Sequence, residues 1–122
     1  MGNLAFLYSR DFELMFEHLG EKEMYWLGYI RADGSISRSH TGLIRFAVSQ
    51  KEKEPIFELA AFLNQPEPKF YSGLKTTFGP QSIYQFSFSG IIPKKLLDLG
   101  VKSIALPELF HDSVDFWRGM ID

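Results

Sequence analysis

The chain has 122 residues, enough for one domain with a real core but too few for two. Apolar residues make up 45% and aromatics 16%, which excludes a disordered chain; the absence of cysteine excludes a disulfide framework and a thiolate zinc site. A formal net charge of −2 lacks the basic footprint usual in nucleic-acid binders, so such a function requires cations segregated onto one face.

In chain order, Met1 to Tyr8 reads as a short apolar leader. A helix is predicted from Asp11 to Leu19, with Leu14, Met15 and Leu19 at helical spacing and Gly20 as its stop. Residues 1–20 therefore precede the main unit, which spans 21–110. That unit opens with Glu21 to Glu23, acids suited to the positive end of a helix dipole. On this helix Gly28 and Ala32 are four apart and leave one face nearly bare, so a second helix can come unusually close. Asp33 falls in the last turn before Gly34, where the dipole disfavours an acid, which points to a use other than helix stability.

After Gly34 the period becomes two. Ser35 to Arg38 and Leu43 to Ser49 read as a strand pair joined through His40-Thr41-Gly42, with Ile44, Phe46 and Val48 on one face. Pro55 opens a helix whose apolar stripe is Ile56, Leu59, Ala60 and Leu63, and Pro66 and Pro68 mark the loop after it. A second strand pair follows. Lys69, Tyr71, Gly73, Lys75 and Thr77 share one face of the first strand; Gly79-Pro80 breaks it. Ile83 to Ser89 returns with Tyr84, Phe86 and Phe88 inward and Gln85, Ser87 and Ser89 outward. Pro93 opens another helix that ends at Gly100. The predicted fold class is therefore α+β, a four-stranded antiparallel sheet with helices on one face and a polar, exposed second face.

Residues 111–122 hold an internal echo. Phe116-Trp117-Arg118-Gly119-Met120-Ile121-Asp122 repeats Tyr25-Trp26-Leu27-Gly28-Tyr29-Ile30-Arg31 as aromatic-Trp-x-Gly-apolar-Ile-x, at an offset of 91 residues (117 minus 26). Asp112 or Ser113 caps this second helix. No apolar run reaches bilayer length and no signal-peptide pattern opens the chain, so an intracellular location with no membrane partner is expected.

Trp26-Leu27-Gly28-Tyr29-Ile30-Arg31-Ala32-Asp33-Gly34 resembles the motif that names the LAGLIDADG homing endonucleases, and the following Ser35-Ile36-Ser37 fits as well. Arg31 departs from the family's usual acid, which is not its metal ligand. Ser49 to Lys53, and Leu97 to Lys102 before a Ser, also look like that family, so the resemblance covers most of the chain. It implies an αββαββα unit. Two such units pack through their motif helices and form a saddle on double-stranded DNA. The chain looks like the first half of a two-motif member, ending inside the second motif.

By the same resemblance, Asp33 is the ligand of Mg²⁺ or another divalent cation, the Ala32 carbonyl is its companion, Gln50 orients water and Lys102 stabilises charge at the phosphate. Asp122 matches the motif's non-ligand acid and is not assigned to metal. Magnesium suits this chemistry because it accepts one or two carboxylates and keeps its waters. DNA contacts are expected from Ser35, Ser37, Arg38, Arg45, Lys69, Tyr71, Lys75, Thr77, Gln85 and Ser87 on the outward strand faces, where acids are nearly absent. His18, His40 and His111 show no ligand spacing.

Gly28, Ala32 and Gly119 form the expected helix interface, with the C-terminal helix packing in cis on the first. A homodimer through paired Gly28/Ala32 faces and a swapped dimer are alternatives; packed in cis, the chain is half a saddle awaiting a second LAGLIDADG half, and the second motif aspartate must come from a partner. The functions implied are a DNA endonuclease, or half of one, serving intron or intein mobility. A non-cleaving nucleic-acid-binding module of the maturase or regulator kind is the alternative. A protein-interaction domain would have no DNA affinity.

Overall fold

The computed structural model describes residues 19–77 and 79–122; for Leu74, Lys75 and Thr76 it describes the backbone alone. The leader and the helix expected from Asp11 fall outside the described residues, save for Leu19 at its end. The first helix, α1 (Glu21–Asp33), begins where the sequence places acids. The Glu23 carboxylate reaches back to accept a hydrogen bond from the Gly20 backbone N–H at 3.2 Å, satisfying a donor that the helix start would leave unpaired. Its end runs straight into β1 (Gly34–Arg38) with no linker. Gly34 permits this: a Cβ there would stand 2.7 Å from the Phe46 ring and 3.1 Å from the Ile30 carbonyl oxygen.

β2 (Ile44–Gln50), α2 (Lys53–Phe62), β3 (Lys69–Thr76), β4 (Gly79–Ser89) and α3 (Ile91–Leu99) follow, then a 3₁₀ turn at Glu108–Phe110 and α4 (Val114–Ile121). The strands form one antiparallel sheet in the order β1-β2-β4-β3, so the fold is α+β with an αββαββα order. The alternation in β2 decides the two faces. Ile44, Phe46 and Val48 are buried, while Arg45 and Ser49 are exposed. Phe46 pairs with Phe88 and Val48 with Phe86, and these rings meet Leu27 and Ile30 of α1, Ile56, Leu59 and Ala60 of α2, and Ile92 and Leu96 of α3 in one core. Fully buried side chains of this size contribute roughly 1.5–3 kcal/mol each.

Two strand expectations change. Gly79 and Pro80 belong to β4, Thr76 pairing with Gly79, so the break is the hairpin turn itself and the strand starts four residues before Ile83. The register also shifts between Tyr71 and Leu74, at a β-bulge where Gly73 has φ +70°. The single face read through Lys69, Tyr71, Gly73, Lys75 and Thr77 therefore does not continue past Tyr71. An inserted residue reverses strand parity.

At the other end, the Ser113 hydroxyl caps α4 by accepting from the Phe116 backbone N–H at 3.1 Å. α4 packs in cis against α1. Their backbones approach so closely that a Cβ on Gly28 would fall 1.8 Å from the Phe116 carbonyl oxygen, and one on Gly119 would fall 1.8 Å from the Tyr25 carbonyl oxygen. The contacts are reciprocal at the 91-residue offset: Tyr25 corresponds to Phe116 and Gly28 to Gly119. The pair thus has local pseudo-twofold symmetry. Among the described residues no helix is long and apolar enough to cross a membrane.

Candidate functional site

The α1–α4 crossing determines where Asp33 and Asp122 emerge. Asp33, the last residue of α1, is exposed and lines a cleft of about 520 Å³ with Tyr29, Ser49, Gln50, Lys51, Glu52, Pro55, Ile83 and Asp122. Gln50 reaches this cleft because β2 ends there, beside the start of β1 to which it is paired through Gly34 and Val48. Asp122, just past α4, arrives from the other helix and accepts a hydrogen bond from the Tyr25 hydroxyl at 2.8 Å. That phenol's pKa is raised, first by burial and next by this bond.

Tyr29 lies one turn before Asp33 on α1. It is 1% exposed, and among protein groups its hydroxyl has no hydrogen-bond partner. Its pKa is pushed up to about 12, first by burial and then by the Asp33 charge. The Gln50 side chain is near enough to lower it in part, without completing a hydrogen bond.

Lys102 sits elsewhere than at the cleft lining. Its amine donates to the Arg31 carbonyl at 2.7 Å, near the negative end of α1, where a cation is favoured. Arg31 returns the contact: its guanidinium donates to the Val101 carbonyl at 3.2 Å and to that of Ser103. The loop after α3 is thereby clasped to the last turn of α1. Burial first, then Arg31, hold the Lys102 pKa below its ordinary value, while Asp33 pulls it upward. Arg31 thus has a structural use here. Ala32, expected in the helix interface with Gly28 and Gly119, is exposed; the close crossing is made at the two glycines.

The outer sheet face carries the other expected residues. Arg45 on β2 donates through Nη2 to the Ser87 hydroxyl on β4 at 2.7 Å, and this pair borders two hollows. One, of about 260 Å³, also has Lys69, Tyr71, Gln85 and Glu67 in its lining; the other, of about 470 Å³, has Ser37, Arg38 and Ser89. The Ser35 hydroxyl bonds within the sheet, to the Ala47 carbonyl at 3.3 Å. Thr77 is exposed in the β3–β4 turn, and the side chain of Lys75 is outside the description. His40 is exposed in the β1–β2 turn; His111 Nε2 is 2.8 Å from the Leu106 carbonyl oxygen, a local contact; His18 lies outside the described residues.

The structure therefore gathers Asp33 with Gln50, and Arg45 with Lys69, Tyr71, Gln85 and Ser87, while Lys102 stands apart from the cleft lining. Tyr29, Glu52 and Asp122 are cleft residues that the sequence reading did not assign. Tyr29 had a readable signal, being four residues before Asp33 on the same helix. No group of three or more acid or histidine side chains converges among the described residues. An exposed Asp33 on an open polar cleft nonetheless fits magnesium, which needs few protein ligands and retains water. Comparison with family models, with curated proteins and with solved structures gives no match for this chain.

Proposed function

We propose that this chain is half of a LAGLIDADG-type homing endonuclease, which binds double-stranded DNA on its outer sheet face and hydrolyses phosphodiester bonds with a divalent cation. The observation that carries the reading is the reciprocal crossing at Gly28 and Gly119, beside which Asp33 and Asp122 border one cleft. Asp33 would hold magnesium, with a second motif aspartate supplied by the partner half. The ion would polarise the phosphate and favour ionisation of water. The chain's own residues bind and orient: Gln50 lines the cleft, and Arg45, Lys69, Gln85 and Ser87 offer donors to the DNA grooves. A place of action inside the cell, where DNA is, goes with this reading.

Support for a partner half comes from the outer side of α4. Trp117 and Ile121 are 41% and 84% exposed, whereas their counterparts at the 91-residue offset, Trp26 and Ile30, are buried in this chain's own core. A second sheet-bearing half would cover them.

The test is incubation of the chain, alone and with a candidate partner half, with a randomised duplex library and Mg²⁺, followed by sequencing of newly formed ends. Defined ends that vanish with Asp33→Asn are expected. Ends formed equally by Asp33→Asn overturn the reading. A non-cleaving nucleic-acid-binding module is the second reading, favoured by the commitment of the Lys102 amine to the Arg31 carbonyl rather than to the cleft. It predicts selective duplex retention with no new ends.

A further inference from the structure

Of the described residues that border the two hollows on the outer sheet face, Glu67 alone is acidic. It shares the hollow of about 260 Å³ with Arg45, Lys69 and Ser87. The β3–β4 register accounts for this placement, pairing Lys69 with Gln85 and Tyr71 with Ile83. Carried two residues further, the same register sets Glu67 alongside Ser87, whose hydroxyl accepts from Arg45 at 2.7 Å. Glu67 is exposed, and neither it nor Lys69 has a hydrogen bond or ion pair among the described residues. Opposite charges left unpaired around one hollow suit a ligand that offers both acceptors and a donor. Glu67 is also rigidly presented. Pro66 and Pro68 flank it, Pro68 is buried, and a residue before proline is confined to extended backbone. The Gln65 backbone N–H, donating to the Ala60 carbonyl at 2.8 Å, ties the loop to the end of α2.

We propose that Glu67 is a specificity-determining residue, whose carboxylate accepts a hydrogen bond from the exocyclic amine of a cytosine in the DNA major groove. The inference rests on the proposed reading in taking duplex DNA as the ligand of this face; it requires neither cleavage nor metal. A face that only tracked phosphates would gain nothing from a carboxylate, which repels them. An acid set among cations is useful where base edges are read. Arg45 and Lys69 supply donors for guanine, and Glu67 supplies the acceptor that they lack. In the major groove cytosine presents its N4 amine with no acceptor beside it, whereas adenine sets N7 next to its N6 amine. Guanine and thymine present acceptors there, which a carboxylate meets with repulsion. A group that can only accept therefore favours cytosine.

The test is selection from a randomised duplex library at low salt in metal-free buffer, so that binding is read without cleavage. The full chain is compared with Glu67→Ala and Glu67→Gln. The wild type should select cytosine at one position by about tenfold or more. Glu67→Ala should lose that preference, and Glu67→Gln should move it toward adenine, whose N6 and N7 an amide matches. Preferences at other positions should persist, and urea midpoints of the three proteins should agree, because Glu67 bonds to nothing in the fold. If both variants bind every sequence more tightly with unaltered preferences, Glu67 only repels phosphate; the inference is then overturned while the DNA reading stands. A fall in midpoint accompanying the lost preference also overturns it, because the loop itself has then shifted. Retention of no duplex by the wild type overturns the DNA reading and the inference with it.

Discussion

Gly28 and Gly119 each rest on the other helix's backbone, the first against the Phe116 carbonyl and the second against that of Tyr25. The 1.8 Å approach a Cβ would make is to main chain, so no rotamer change can relieve it. Gly28→Ala must push the helices apart or bend them. A loss of about 2–4 kcal/mol is expected, at or above the usual cost of overpacking. Gly119→Ala should cost a similar amount, and the double variant less than the sum, because one separation accommodates both methyl groups. Urea unfolding monitored by tryptophan fluorescence checks this; additive losses would show that the two contacts yield independently.

Lys102 offers a second check. Its amine caps the Arg31 carbonyl, so Lys102→Met should lower stability by roughly 1 kcal/mol through the lost charge-assisted bond. Arg31→Met should do likewise by freeing the loop it clasps. A lysine serving only a phosphate would leave stability untouched. Denaturant midpoints of the two variants distinguish these roles.

The alkaline limb of the stability curve should belong largely to Tyr29. Its folded pKa of about 12 exceeds the unfolded value of 10.0, so the folded state retains a proton that the unfolded state gives up. The contribution is fully present below pH 10 and is lost as pH rises toward 12, by about 2–3 kcal/mol in all. Tyr29→Phe should flatten that decline. Unfolding measured between pH 9 and about 11.5 would show it, and an unaltered slope would place the loss with other groups.

On the sheet face, Arg45 is the cation to test first, because it is exposed and Ser87 holds one of its guanidinium nitrogens in place. If it reads a base, Arg45→Gln should relax selection at one position of a bound duplex by roughly tenfold or more. If it meets a phosphate, binding should weaken evenly across sequences and the salt slope should fall by about one. Binding-site selection at two salt concentrations separates the outcomes, and no change in either would remove Arg45 from the interface.

Much of the architecture was legible in the chain itself. The period of two in β2, the Pro55 and Pro93 helices, the Ser113 cap and the 91-residue echo each record a local preference or a face that must be buried, and those act over a few residues. The bare Gly28 face likewise announced a close neighbour. Tertiary structure alone decided what meets at the cleft. Asp33 and Asp122 border one cleft because two helices cross at backbone distance, and Lys102 turns to the Arg31 carbonyl because α3 returns the chain to the end of α1. The bulge after Tyr71 likewise shifts a register that alternation alone would have continued. Periodicity says which face of an element is apolar; which side chains from distant elements share a cleft follows only from how those faces pack.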